Sequence, residues 1–156
     1  MDVIEEARAG LEGFEFDWLL RDADGFVALC ETAGFGEVPD VLLRHGTEQL
    51  DAYSEAIASI LRAVPENGTC RQKGKGVGTD LETLGYGRRG LYVFDWCHWS
   101  GPYRRIVVPE NPIRSDALEP VLGDMLQAVP AIPVSFSRLG KLQLYDHLPC
   151  RRLHAG

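Results

Sequence analysis

What the sequence lacks narrows it first. No stretch approaches the roughly 18 apolar residues that a membrane-spanning helix requires. The N-terminus, Met1-Asp2-Val3-Ile4-Glu5-Glu6, is acidic where a secretory signal needs positive charge before an apolar run. The four cysteines, Cys30, Cys70, Cys97 and Cys150, include no Cys-x-x-Cys pair. Free thiols in a reducing compartment are therefore expected, which places the chain in the cytoplasm. Low-complexity tracts and long polar tails are missing too, so disorder is excluded. What is present is 156 residues, 45% of them hydrophobic, enough for one domain spanning 1–156 with a real core.

Charge is unevenly spread. Residues 1–60 hold 14 Asp/Glu against 3 Lys/Arg, a balance of −11, whereas residues 61–156 hold 9 against 13, a balance of +4. The net charge of −7 disfavours nucleic acid as a partner, because phosphates must be met by Lys and Arg. An acidic surface instead suits a basic protein, where complementary charge speeds encounter.

Residues 14–21 alternate, with Phe14, Phe16, Trp18 and Leu20 on one face, which predicts a half-buried strand. Asp22-Ala23-Asp24-Gly25 follows, and Asp-Gly supplies the positive φ of a tight turn. Residues 26–32 return as a second strand. A two-residue loop would set Val27 and Leu29 on the face of Trp18 and Leu20. Asp40–Arg44 reads as a short helical turn. A helix then starts at Thr47 as its cap and ends before Pro65, with Leu50, Tyr53, Ile57, Ile60, Leu61 and Val64 in one stripe. Residues 66–90 carry seven glycines and read as a long loop with a short helix at Thr79–Leu84. Leu91–Trp96 and Tyr103–Val108 predict two more strands. A helix is expected over about 117–129 with Asp116 and Glu119 as a capping box, and Ile132–Arg138 and Leu142–Tyr145 as closing strands. The expected fold is α+β: a mainly antiparallel sheet in ββαββαββ order with two helices packed on it.

Chemical motifs fail on geometry. Gly74-Lys75-Gly76-Val77-Gly78-Thr79 has neither the spacing nor the preceding strand of a phosphate loop. Cys97 and His98 are adjacent on an extended chain and point apart, so neither activates the other. An alternative reading makes 66–90 the lid of a small enzyme or ligand-binding protein, over Cys97, His98 and His147. The run His147-Leu148-Pro149-Cys150-Arg151-Arg152-Leu153-His154 lacks the close cysteine pairs of a zinc site. No catalytic residue, metal or cofactor is expected. Trp99, in a turn within the cluster Trp96, Trp99, Tyr103, Arg104 and Arg105, is expected to be exposed, in the residue class that dominates binding hot spots.

Two segments carry a family resemblance. Phe16-Asp17-Trp18-Leu19-Leu20 through Asp24-Gly25-Phe26-Val27-Ala28-Leu29 to Thr32–Pro39 is the first. Gly90–Trp96 continuing to Gly101–Pro109 and Pro112 is the second. Together they resemble small bacterial proteins of the kind found as immunity proteins beside polymorphic or contact-dependent toxins. The resemblance implies a cytoplasmic, non-enzymatic protein that binds and neutralises a toxin, often a basic nuclease. The expected contact residues are Asp22, Asp24, Glu31, Trp99 and Arg104.

Overall fold

The computed structural model describes residues 2–72, 81–96 and 99–154. The chain is mixed α and β, with a mostly antiparallel six-stranded sheet at its centre. Helix α1 (Val3–Leu11) comes first, unassigned by the sequence reading. The Asp2 carboxylate caps it by accepting from the Glu5 N–H at 2.7 Å, and Glu5 and Glu6 sit at its positive end.

Strands β1 (Asp17–Arg21) and β2 (Val27–Glu31) form the expected antiparallel hairpin, but in a different register. Trp18 pairs with Cys30 and Leu20 with Ala28, so Val27 and Leu29 share a face with Arg21 and Leu19 instead. The turn is the cause. The Gly25 N–H donates to Asp22 O and the Asp22 N–H to Phe26 O, leaving three residues in the loop, with Gly25 at φ 84°. One extra loop residue moves every side chain to the other face.

Strand β3 (Glu37–Pro39) leads into α2 (Asp40–Leu43) and the long α3 (Thr47–Ala63), whose buried stripe is Leu50, Tyr53, Ile57 and Ile60. Thr47 is not its cap: Gly46, at φ 80°, holds that position with no side-chain hydrogen bond. Next come β4 (Cys70–Gln72) and α4 (Leu81–Arg88), so the helix expected near Thr79–Leu84 runs further, to Arg88, with positions 79 and 80 outside the described residues. The glycine–lysine stretch 74–79 lies outside the described residues. Gly87 lets α4 lie directly on the sheet, because a Cβ there would stand 2.4 Å from Val107 Cγ1 and 2.7 Å from Cys70 Sγ. Arg89 ties this helix to α3, donating to Leu61 O and Val64 O at 3.0 Å each.

Strands β5 (Tyr92–Asp95) and β6 (Tyr103–Pro109) form the second expected hairpin. The sheet order is β1-β2-β5-β6-β4, with β7 (Lys141–Leu142) also on β6. Among the described residues, β2 pairs with β5 in parallel and the other strand pairs of this sheet are antiparallel. The helix expected at 117–129 is broken into 3-10 turns around α5 (Glu119–Leu122), and no side-chain cap forms there. Ile132–Arg138 is not a strand; it ends in a 3-10 turn at Phe136–Arg138. Of the last expected strand, Leu142–Tyr145, only Leu142 pairs, as part of β7, and β8 (Cys150–Arg152) joins β3 in a separate ribbon.

The core has two sides. Trp18, Cys30, Phe94 and Tyr103 are fully buried, with the Trp18 indole donating to the Tyr103 hydroxyl at 3.2 Å. Tyr92 and Phe94 meet Phe136 at ring separations of 5.3 and 5.4 Å. On the outer margin of β1 the Tyr53 hydroxyl donates to Leu19 O at 3.0 Å and accepts from Leu19 N–H at 2.8 Å. The Arg21 N–H donates to Pro130 O and the Ile132 N–H to Arg21 O. Tyr53→Phe is expected to strand both Leu19 groups and destabilise the fold by about 1–3 kcal/mol, read as a lower urea midpoint. Among the described residues no helix is long and apolar enough to cross a membrane.

Candidate functional site

The parallel pairing of β2 with β5 decides where the site forms. Both strands end at the same margin of the sheet, where β1 begins. Asp17 stands opposite Glu31, and Glu31 opposite Asp95, so three carboxylates lie side by side across three neighbouring strands. Directly opposed residues point to the same face. Arg104 is opposite Asp95 and Lys141 opposite Arg104, so the row runs from three acids to two bases. Like charges directly opposed across strands oppose folding.

Helix α4 lies against β5 and brings Glu82, Thr83 and Tyr86 to this end of the sheet. With Glu15, Ala33 and the three strand carboxylates they enclose a cleft of about 180 Å³. Five of its eight lining residues are acidic, and its walls are mainly polar. Burial pushes the Asp17 carboxyl up to about 6, and Glu15, Glu82 and Asp95 push it the same way. Burial, together with Asp17, Glu82 and Glu31, also holds the Tyr86 phenol well above its ordinary value. Among the described residues no Lys or Arg forms an ion pair with Asp17. Converging acceptors in a partly shielded cleft can accept hydrogen bonds from an ammonium or guanidinium. No cluster of three or more His, Cys, Asp or Glu among the described residues is arranged to hold a metal ion.

An aromatic platform adjoins the cleft. Two residues beyond the end of β2, Ala33 lines the cleft, and Phe35 follows it to pack on Trp99 with ring centroids 4.6 Å apart. The His154 ring stands edge-on to Phe35 at 5.6 Å, and its Nδ1 is 3.1 Å from a Glu12 carboxylate oxygen. Trp99 is 73% exposed and Phe14, next to Glu15, 69%. Their neighbours at this end are tied together, since the Gly13 N–H donates to Gly34 O.

The five residues expected from sequence divide between the two ends of the sheet. Glu31 lines the cleft, Trp99 stands exposed on the platform, and Arg104 flanks the acidic row with its Nε shielded and, among the described residues, without a hydrogen-bond partner. Asp22 and Asp24 sit in the hairpin turn, at the far end of β1. Asp22 is only 5% exposed and is occupied by the fold: Oδ1 accepts from Asp24 N–H and Phe26 N–H, and Oδ2 from Phe136 N–H. Its carboxylate is therefore engaged within the fold on both oxygens. Asp24 is exposed and accepts from the Ser135 hydroxyl.

Asp17, Glu15, Glu82 and Asp95 were missed. The correct hairpin register would have set Asp17 beside Glu31, but Asp95 and Glu82 arrive through distant pairings.

Burial pushes the Cys30 thiol far up, and burial with Glu37 raises that of Cys150, whose Sγ lies 2.9 Å from Glu37 Oε2. Both shifts favour the neutral thiol over the thiolate that nucleophilic chemistry needs. Cys97 and His98 lie outside the described residues. Compared with known proteins, the chain matches no family model, no curated protein and no solved structure.

Proposed function

We propose that this chain is a non-enzymatic protein-binding module, a toxin-neutralising immunity protein whose acidic sheet end meets a basic toxin domain in the cytoplasm. The observation that carries the reading is the row Asp17, Glu31 and Asp95 on adjacent strands, joined in one cleft by Glu15 and Glu82. Within it the Asp17 carboxylate, raised by burial and by its acidic neighbours, opposes folding, and local violations of folding rules of this kind concentrate at functional sites. The two segments that resemble immunity proteins supply β1, β2 and β5, and so the three strand carboxylates as well as the platform's Phe35.

The negative balance of residues 1–60 would steer a positively charged partner to this surface from a distance. Titration with the purified toxin domain encoded by an adjacent gene tests the reading. A nanomolar complex is expected, weakening as salt rises from roughly 50 to 500 mM. The double variant Glu15→Lys/Glu82→Lys alters two exposed residues and is expected to weaken binding by about a hundredfold, through lost attraction and new repulsion. Asp24→Lys, at the opposite end, is expected to bind as the unaltered chain does. No complex with a basic domain, or equal binding by the double variant, would overturn the reading.

A further inference from the structure

Resting on the reading above, we infer that the Phe35–Trp99 platform is the anchor of the docking surface and that it seats an arginine of the basic partner. A tryptophan that is 73% exposed leaves a large apolar face in water, and interface hot spots are enriched in this residue. Phe35 backs the ring at 4.6 Å, and His154 stands edge-on to it at 6.2 Å, held in turn by Glu12 at 3.1 Å. Because these contacts already hold the ring, binding costs little ordering.

Charge complementarity identifies the occupant. The platform lies at the same sheet end as the acidic row, so a cation on it is attracted both by the ring face and by nearby carboxylates. Arginine suits the geometry better than lysine, because a planar guanidinium stacks on a ring and still presents donors at its edge. The fold contains an internal example at this same end: the Arg152 guanidinium lies 5.5 Å from the ring centre of Trp96 while donating to Ser100 O at 3.0 Å. An incoming arginine on Trp99 would repeat this arrangement across an interface, with a cleft carboxylate in place of the carbonyl.

Trp18 and Trp96 are buried, so a ligand stacking on the platform is read out mainly by Trp99 emission. The probes are short peptides alternating glycine with arginine, lysine or citrulline, added to the full chain. The arginine peptide is expected to give a saturable change in emission, the lysine peptide to bind more weakly, and the neutral citrulline peptide to give none. By calorimetry, Trp99→Ala is expected to bind the arginine peptide at least about tenfold more weakly, and Trp99→Phe to keep most of the affinity. Equal binding by Trp99→Ala, or no binding of the arginine peptide by the unaltered chain, would overturn the inference. The two claims separate cleanly. A basic toxin domain that binds Trp99→Ala as tightly as the unaltered chain, and with the same salt dependence, removes the platform's role while the acidic-surface reading stands. If no basic domain binds the unaltered chain, that reading falls, and the peptide titration still decides the platform.

Discussion

Asp22→Ala is expected to lower the stability of the fold by about 3–4 kcal/mol, the largest loss among the substitutions considered. One buried carboxylate accepts three backbone N–H groups: those of Asp24 and Phe26 within the turn, and that of Phe136 from a distant segment. On the other side of that segment the Arg105 guanidinium donates to Phe136 O. Phe136 is thus held at both its amide and its carbonyl while its ring packs on Tyr92 and Phe94. Removing the carboxylate leaves the N–H groups without an acceptor and releases one half of the clamp. Urea unfolding should show a lower midpoint at unchanged slope. Asp22→Asn should fall between, because its amide keeps one accepting oxygen. Under conditions where these variants remain folded, affinity for a basic partner should not change. A loss of affinity without a loss of stability would return Asp22 to the binding surface.

Asp17→Asn is expected to act with the opposite sign, adding about 2–3 kcal/mol at neutral pH. The direction follows from the raised carboxyl. In the unfolded chain Asp17 titrates near its ordinary value of 3.8, but in the fold near 6, because of burial and the neighbouring carboxylates. Between these values the folded state binds more protons than the unfolded one. Stability therefore falls as pH rises through this window, and the full penalty is present above it. The variant carries no such charge, so its advantage should be largest near neutral pH and vanish below about pH 4. Denaturation at a series of pH values checks this, and an advantage independent of pH would refute it. The same substitution should weaken binding to a basic partner, and in the unaltered chain that binding should weaken as acidification protonates Asp17. Higher stability with lower affinity is the expected mark of a residue kept for recognition.

Periodicity in the sequence was enough for the elements whose partners are near in the chain. The stripe from Leu50 to Ile60 marked the long helix, and the alternation around Trp18 marked the first hairpin. Where one residue of turn length mattered, the reading failed: Asp-Gly suggested a two-residue loop, but the Asp22 carboxylate organises a three-residue one and reverses the faces. The helix expected at 117–129 had apolar residues at suitable intervals, yet Gly123 takes φ 56° and the chain turns there. Ile132–Arg138 has strand-like residues, but Ile132 donates to Arg21 O and Phe136 donates to Asp22, which bends the segment around the hairpin. The candidate site was legible only in pieces, Glu31 and Trp99. Asp95 arrives through the parallel β2–β5 pairing and Glu82 on α4, and such non-local packing leaves no local pattern to read.

The Tyr53 hydroxyl on the margin of β1 has a consequence for the behaviour of the protein in a crowded solution. A lateral strand with unsatisfied amides and carbonyls invites a strand from another molecule. At Leu19 that invitation is withdrawn by a side chain that both donates and accepts, and at Arg21 by the chain's own 130–132 segment. Loss of the hydroxyl would therefore do more than loosen one molecule: it would open a site for edge-to-edge association, and the damage would grow with protein concentration.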